Sequence, residues 1–586
     1  MICVHCGNLT PLQQDTISQN HETMSRVDDL IRSLSPLSRS DVMEVPRISA
    51  QLDEEIEQYE NQILHLESRI MYLRSKQEFL KSRKGRLNSL TAPIRRLPTE
   101  ILSLIFSSRV PDEYDEDRDD RYIVLGCLGQ GRQGSWCSSR PFILASVCYR
   151  WREVAIDTPH IWTHIYFDGS LEYDEYERVD KGFLSERLKM ILERSKGFPL
   201  SIYMGTRFET DSPLLHLLAS QFHRWVEIRF MRLDWDSSAM LGSLNPNISF
   251  PALQKLAFCD DDDARVAFEP HISLFTNAPK LQVLALDMLP NPPPPASPDE
   301  DGTPPQVFPW NQIHRLQLHL CRDKEVFNAI ELCPNLESVV FTDFIAATES
   351  EIDVDAPLEH QASNLHQVEF KATEGCGKQG EYTSYSDVLD ALTLPEVHTM
   401  LFTRYRYPKG VYDCEWPRSS IDSFLQRSKC SLTTLHIDGH SLSDQDALAF
   451  LTLTPMLTRL RIQENRGNIT IKTISPLFLR ALHAFSFSFV RTSASPLVPK
   501  LTSLQFTADG TSLDDTLFAD MVVSRWIPEV KHATAVGVEC LQLVKLGIFG
   551  REFNEVQRRR LECLKIVGLK VEVFQIEMNR TCNFAR

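Results

Sequence analysis

The stretch Pro455-Met456-Leu457-Thr458-Arg459-Leu460-Arg461-Ile462 is a clear copy of a phrase that recurs along this 586-residue chain. The phrase often begins with proline and continues apolar-x-x-apolar-x-apolar. Its last two apolar positions alternate with polar ones, as in a half-buried strand. The other copies are Pro251/Leu253/Leu256/Phe258, Pro279/Leu281/Leu284/Leu286, Ile313/Leu316/Leu318, Pro334/Leu336/Val339/Phe341, Leu365/Val368/Phe370, Pro395/Val397/Met400/Phe402, Leu432/Leu435/Ile437, Leu482/Phe485/Phe487, Pro499/Leu501/Leu504/Phe506 and, more weakly, Leu543/Leu546/Ile548.

Successive copies mostly begin 19 to 35 residues apart, a looser version of the ~20–29-residue leucine-rich repeat. Helical stretches such as Val326–Leu332 and Ala447–Leu451 precede many copies. One strand and one helix per unit predict an α/β horseshoe, an irregular leucine-rich-repeat solenoid with its strands on the concave face, over residues 169–575. Residues 290–309 hold nine prolines and are expected to form an extended loop, and 576–586 form a tail.

The N-terminal part has a different pattern. Residues 1–48 are polar and without periodicity, and Pro36 and Pro46 are expected to break any helix, so this segment is predicted to be a disordered tail. From Leu52 onward apolar residues recur at alternating steps of three and four, which predicts a coiled-coil helix over residues 49–88. The positions are Leu52, Ile56, Tyr59, Ile63, Leu66, Ile70, Leu73, Gln77, Leu80 and Leu87.

Charges along this helix are segregated, with acids at the start and bases at the end. In a parallel dimer the flanking residues five apart face each other, and three such pairs repel: Glu55 with Glu60, Arg69 with Arg74, and Lys76 with Lys81. The pattern therefore favours an antiparallel partner or packing onto the chain's own domains. An amphipathic helix lying on the neighbouring module is the alternative.

Between the helix and the repeats lies a module over residues 91–168. Its first phrase is Leu97-Pro98-Thr99-Glu100-Ile101-Leu102-Ser103-Leu104-Ile105-Phe106. Proline near a helix start and glutamate in the first turn are both favourable there. A second apolar helix is predicted at about Ile143–Ile156, and Thr158-Pro159-His160-Ile161-Trp162 follows it. The acidic and Gly/Ser-rich insertion 107–140 is predicted to be disordered and looped out.

These phrases closely resemble the F-box, and specifically fungal F-box-like proteins with an upstream coiled helix and leucine-rich repeats. Arg194-Ser195, Pro199-Leu200 and Ser524-Arg525 match further steps of that pattern. The resemblance implies docking of the Skp adaptor and, through it, a cullin, while the repeats bind an unknown protein to be ubiquitinated. The implied adaptor-binding residues are Leu97, Pro98, Glu100, Ile101, Leu104, Ile105, Val147, Cys148 and Trp151, with Phe106 expected in the internal core.

Composition excludes several other classes. A formal net charge of −17 argues against general binding of nucleic acid or an anionic membrane surface. No apolar run approaches the ~18 residues that a membrane-spanning helix needs. Fourteen scattered cysteines fit reduced thiols in the cytoplasm or nucleus better than a disulfide framework.

Three short motifs suggest chemistry but have plainer explanations. Gly129–Gly134 spells G-x-G-x-x-G, yet Ser135–Pro141 after it is a poor helix opening, so a flexible linker is preferred. Cys3 and Cys6 form a lone C-x-x-C pair without a second pair at zinc-finger spacing. Asp260–Asp263 lacks the alternating ligands and glycine of a calcium loop. We therefore predict no catalytic residues, no metal and no cofactor.

Two functional hypotheses remain after these exclusions. The first is a non-catalytic substrate receptor of a Skp–cullin–F-box ubiquitin ligase, which accelerates transfer by proximity. The second is a leucine-rich-repeat scaffold whose F-box has drifted and no longer recruits a ligase. The 34-residue insertion bears on the choice between these two hypotheses. Docking requires the two halves of the module to fold together around it.

Overall fold

The structure is a computed structural model, and the chain forms two compact units, Met1–Ile101 and Leu102–Arg586. The residues that it describes are 25, 27–32, 36–108, 122–125, 139–167, 181–204, 213–231, 249–259, 272–286, 308–321, 323–344, 360–361, 364–373, 386–405, 416–464, 471–485 and 496–576. Much of the insertion 107–140 and most of the loop 290–309 lie outside them. So do Cys3, Cys6, Gly129–Gly134, Asp260–Asp263 and residues 577–586.

The first unit is dominated by helix α1, Arg39–Leu90, which is 52 residues long. It begins earlier than predicted, and residues 27–32 are also helical, so the boundary of the disordered tail at residue 48 is wrong. The cause is a capping box in which the Ser38 hydroxyl accepts from the Asp41 N–H and the Asp41 carboxylate accepts from the Ser38 N–H. Pro46 costs this helix one backbone bond, and the long helical sequence after it outweighs that loss.

The second unit is built on one open, fifteen-stranded sheet in which every neighbouring pair is parallel. Its strands are β1 Ile123–Leu125, β2 His164–Phe167, β3 Leu200–Met204, β4 Trp225–Met231, β5 Lys255–Cys259, β6 Val283–Leu286, β7 Arg315–Cys321, β8 Ser338–Phe344, β10 Gln367–Thr373, β12 Thr399–Tyr405, β13 Thr434–Asp438, β14 Arg459–Gln463, β15 Ser503–Asp509, β16 Leu543–Phe549 and β17 Lys570–Ile576. Two further short strands, β9 His360–Gln361 and β11 Leu392–Thr393, pair with each other.

Helices connect many of these strands. They are α2 Thr99–Ser107, α3 Arg140–Val147, α4 Tyr149–Ile156, α5 Lys181–Arg194, α6 Pro213–Ala219, α7 Asp323–Leu332, α8 Ser386–Ala391, α9 Arg418–Ser428, α10 Asp444–Leu453, α11 Pro476–Leu482, α12 Asp515–Arg525, α13 Val530–Val536 and α14 Glu555–Ile566. This mixture of helices and parallel strands confirms the α/β prediction. Because the strands of the sheet follow one another in chain order, the sheet is compatible with a solenoid-like fold. No helix among the described residues is both long and apolar enough to cross a membrane.

The core lies between the strands and these helices. Phe402 of β12 contacts Phe450 of α10 at 6.5 Å between ring centroids, and Phe506 of β15 contacts Phe518 of α12 at 6.4 Å. The apolar positions of the repeated phrase are buried because they point to this side of the sheet. Polar side chains of the same strands therefore lie on the opposite face.

Three arginines join consecutive repeats by donating to oxygens of the preceding repeat. Two of the acceptors, the Leu389 and Leu482 carbonyl oxygens, lie in the last turn of a helix, where carbonyl groups have no partner within the helix. Arg224 donates to Ser195 Oγ and Phe198 O; Arg427 donates to Leu389 O and Leu392 O; Arg525 donates to Leu482 O, Leu497 O and Val498 O.

The structure corrects several sequence boundaries. Ile123 and Leu125 are fully buried and form strand β1 inside the insertion 107–140 that was predicted to be disordered. Strand β2 joins the sheet although it precedes residue 169, the predicted start of the repeats. The predicted strand at Leu482/Phe485/Phe487 is not found among the described residues: Leu482 ends α11, Phe485 is exposed, and β14 pairs directly with β15, while Phe487 lies outside the described residues.

Candidate interaction surfaces

Helix α2 presents two different faces. Leu102 and Phe106, one turn apart, are 0% and 2% exposed, whereas Leu104 and Ile105 are 66% and 42% exposed. Side chains three or four residues apart share a helix face, so one face is packed into the module and the other carries apolar side chains outward. The expectation that Phe106 belongs to the internal core is confirmed.

The two halves of the module meet in space despite the insertion between them. The rings of Phe106 and Trp151 lie 5.0 Å apart between centroids. The Ser103 and Thr158 hydroxyl oxygens are 2.9 Å apart. Beyond the end of α2, the Arg140 guanidinium donates to the Ser108 carbonyl oxygen at 2.9 Å. The part of α2 that belongs to the second unit therefore packs against the later phrases.

The predicted helix Ile143–Ile156 is two helices, α3 and α4, separated at Cys148. Cys148 has φ −163° and ψ 169°, which is extended backbone, and it serves as the C-cap of α3 and the N-cap of α4. Its carbonyl oxygen accepts from the Arg152 N–H at 2.9 Å, and Arg152 Nε donates back to the Ala145 carbonyl oxygen at 3.1 Å. The break is stabilised on both sides by these two bonds.

Helix α3 and the start of α4 add further exposed apolar side chains. Val147 is 54% exposed, and Ile143, one turn earlier on the same face of α3, is 48% exposed. Tyr149 is 75% exposed, while Cys148 and Trp151 are half-buried. Sequence reasoning identified Val147 but missed Ile143 and Tyr149. The spacing of four between Ile143 and Val147 was a signal, but it does not distinguish an exposed face from a buried one.

The remaining predicted docking residues belong to the first unit. Leu97 is half-buried and ends the 3-10 turn Pro93–Arg96. Pro98, Glu100 and Ile101 are exposed, and Glu100 lies in the first turn of α2. An acidic side chain there is favoured by the helix dipole.

Trp162 anchors the module to the first repeat. It is fully buried, and its indole N–H donates to the Ala155 carbonyl oxygen at 2.7 Å. The Phe142 ring meets it edge-on at 5.3 Å, and the Arg194 guanidinium of α5 lies over it at 4.6 Å. The part of the module from Leu102 onward and the beginning of the sheet therefore form one packed body within the second unit.

A second surface is the side of the sheet that faces away from the helices, which we call the polar face. Its described strand positions hold eight basic and five acidic side chains, whereas the whole chain has a net charge of −17. The basic residues are Arg229, Lys255, Arg315, Lys371, Arg459, Arg461, Lys545 and Lys570, and the acidic residues are Glu227, Glu369, Asp438, Asp509 and Glu572. This face is thus more basic than the chain that carries it.

Several of these charges are close enough to pair. Lys371 Nζ lies 3.6 Å from a Glu369 oxygen, and Arg461 Nε lies 3.2 Å from an Asp438 oxygen. Burial raises the pKa of the Asp438 carboxyl, and its Oδ1 has no hydrogen-bond partner among the described residues. A half-buried acceptor on this face is suited to a donor supplied by another molecule.

Two histidines on the polar face have basic neighbours. Burial, followed by the Lys371 charge, lowers the pKa of His319 to about 4. Burial, followed by the Arg461 and Arg459 charges, lowers the pKa of His436 to about 4. Both imidazoles are therefore neutral at physiological pH.

The lowered pKa values of His319 and His436 predict that the stability of the fold depends on pH. An unfolded histidine has a pKa of ~6.5, so between that value and about 4 the unfolded chain binds more protons and stability falls as the pH falls. The raised pKa of Asp438 acts in the opposite direction at the acidic end of this window. We expect the urea concentration at the unfolding midpoint to be lower at pH 5 than at pH 7. This difference should be smaller in a His319→Gln/His436→Gln variant. Equal slopes in both proteins would contradict the assignment.

The described residues contain no group of three or more His, Cys, Asp or Glu side chains placed to hold a metal ion. The surfaces described above offer apolar anchors, hydrogen-bonding groups and charges. No protein-family model matches this chain, and no curated protein sequence matches it.

Proposed function

We propose that the protein is a non-catalytic substrate receptor of a Skp–cullin–F-box ubiquitin ligase. In this proposal the exposed faces of α2, α3 and the start of α4 dock the Skp-type adaptor, and the leucine-rich-repeat-like sheet binds the target. The proposal rests on one observation above the others: Leu104, Ile105, Ile143, Val147 and Tyr149 stay exposed on α2, α3 and the start of α4, although Leu102 and Phe106 of α2 and Val154 and Ala155 of α4 are buried.

Physical reasoning supports a protein partner for these side chains. Interface hot spots are a few apolar or aromatic anchors that a partner shields from water. The contacts of Phe106 with Trp151 and of Ser103 with Thr158 hold the two segments of the module together, and they do not involve the exposed apolar side chains. An apolar side chain that serves only the fold gains nothing from remaining in water.

The test is binding of a purified Skp-type adaptor to the full chain, measured by pull-down and by calorimetry. Stable binding supports the receptor. Absence of binding by the folded wild-type chain overturns it in favour of the second candidate, a repeat scaffold that recruits no ligase. Substitutions that separate surface from core residues are described in the Discussion.

The basic excess of the polar face favours a target with an acidic surface. Complementary charge raises the association rate and selects among partners, and its effect is screened over a Debye length of ~8 Å at physiological salt. Arg315 and Arg459 are exposed members of this face, so reversing their charge should weaken target binding with little effect on folding.

We therefore expect an Arg315→Glu/Arg459→Glu variant to lose captured target by about tenfold at low salt. The measurement is affinity purification with mass spectrometry under proteasome inhibition. The matched control is Arg480→Glu, an exposed arginine on α11 rather than on the polar face. Equal recovery of the target by all three proteins would place its binding site elsewhere.

A further inference from the structure

Helix α1 is unusually exposed for its length. It spans 52 residues, none of them buried, which at 1.5 Å per residue is about 78 Å. Most helical stability in proteins comes from packing an apolar face against something else. A helix of this kind with an apolar seam along it is therefore incomplete without a partner surface.

The seam runs from Ile56 to Leu87, and its apolar run is interrupted at the a positions Gln77 and Lys84. Its apolar members are between 47% and 60% exposed, and they occupy the a and d positions of successive heptads. The a positions hold Ile56, Ile63 and Ile70, and the d positions hold Tyr59, Leu66, Leu73, Leu80 and Leu87. Exposed apolar surface in such a run marks an interaction site.

Charge decides the orientation of a second copy on this seam. A parallel copy places Glu55 against Glu60, Arg69 against Arg74 and Lys76 against Lys81, and each repulsion occurs twice by symmetry. Like charges at these flanking positions disfavour the parallel arrangement.

An antiparallel copy removes these repulsions in one register. With the two-fold axis at Ser68, Ile56 packs opposite Leu80 of the second copy, Ile63 opposite Leu73, and Ile70 opposite Leu66. These three core layers are apolar, whereas the other two layers between residues 52 and 84 pair Tyr59 with Gln77 and Leu52 with Lys84. The flanks join Asp53 to Lys81, Glu55 to Arg83 and Glu60 to Arg74, again twice each.

Two charged residues still face their own copies in this register, Glu67 and Arg69. Arg69 lies over the Tyr72 ring of its own helix at 5.5 Å, a contact that an exposed cation makes favourably. Six opposite-charge pairs outweigh these two self-facing pairs.

We propose that α1 forms an antiparallel coiled-coil homodimer centred on Ser68. The inference does not depend on the proposed ligase function, because it uses only α1 and a second copy of this chain. A dimer carries two docking modules and two polar faces, so a partner with two binding sites would gain avidity without any new contact.

Cysteine cross-linking of the full chain tests the register. Oxidising an equimolar mixture of Ile56→Cys and Leu80→Cys chains is expected to link residue 56 of one copy to residue 80 of the other. Mass spectrometry of the linked peptides separates this bond from those of the fourteen native cysteines. Linkage of Ile56→Cys chains to themselves would indicate parallel pairing and overturn the proposal, as would a monomer in analytical ultracentrifugation at micromolar concentration.

A charge swap supplies a second readout that leaves the seam intact. Glu60→Arg is expected to weaken the dimer by about tenfold, since each of two opposite-charge pairs becomes a repulsive one. Adding Arg74→Glu restores the pairing and the affinity. A parallel dimer predicts the reverse for the single change, because it relieves the repulsion between Glu55 and Glu60. Strengthening by Glu60→Arg would therefore contradict the antiparallel arrangement.

Discussion

A Leu104→Asp/Val147→Asp variant, which removes two anchors, is expected to bind the Skp-type adaptor about 1,000-fold more weakly than the wild-type chain. A central apolar anchor contributes ~2 kcal/mol or more to an interface, and a carboxylate placed there also loses its hydration. Leu104 and Val147 are 66% and 54% exposed, so their replacement should leave the fold unchanged. The measurement is titration calorimetry with purified adaptor, with circular dichroism to confirm folding.

Two further variants sharpen this test. Leu477→Asp changes an apolar side chain on α11 that is 51% exposed, and it should bind the adaptor like wild type. Trp151→Ala is less informative, because the Trp151 ring packs on Phe106 in the module core and its loss affects folding as well as binding. If the double variant binds normally while wild type binds, the docking surface lies elsewhere on the chain.

Periodicity predicted most of the sheet because the fold repeats it. Copies such as Leu365/Val368/Phe370 form strands at the expected positions. A change of register would turn their alternating apolar side chains from the core to the solvent. Strand β4 was missed although Trp225, Ile228 and Phe230 fit the spacing of the phrase. Strand β17 was missed because Val571 and Val573 form too short an alternation to stand out.

Two other features depended on tertiary contacts that a linear pattern does not contain. Tyr122-Ile123-Val124-Leu125 resembles a strand in sequence but lies in the insertion predicted to be disordered, and Ile123–Leu125 is ordered because β2 lies beside it with a matching register. The break at Cys148 depends on Arg152, whose side chain reaches back to the Ala145 carbonyl oxygen. Apolar spacing alone favours one continuous helix there.

The docking module illustrates the same limit at the level of function. The phrase around Leu97–Phe106 indicated which residues are apolar, and only the packing of Phe106 against Trp151 distinguishes core from surface. The polar face could not be predicted from sequence spacing, since Arg315 and Arg459 are 144 positions apart in the chain. Their common face follows from strand register, which is a property of the assembled sheet.

Arg525→Met is expected to lower the stability of the C-terminal repeats by about 3–5 kcal/mol. Arg525 is fully buried and donates to the carbonyl oxygens of Leu482, Leu497 and Val498. Burial lowers its pKa to about 10, so the guanidinium stays charged at neutral pH. Methionine fills a similar volume but leaves three buried acceptors without a donor.

The measurement is urea unfolding combined with hydrogen exchange over residues 496–549, where β15, α12 and β16 pack together. Arg480→Met is the matched control, because Arg480 is exposed on α11, and it should change stability by less than ~0.5 kcal/mol. Arg525→Lys is expected to fall between the two, since an ammonium keeps the charge but cannot reach all three oxygens with a planar fork. A loss below ~1 kcal/mol for Arg525→Met would mean that these carbonyl oxygens find other donors, and that the arginine is not what joins the two repeats.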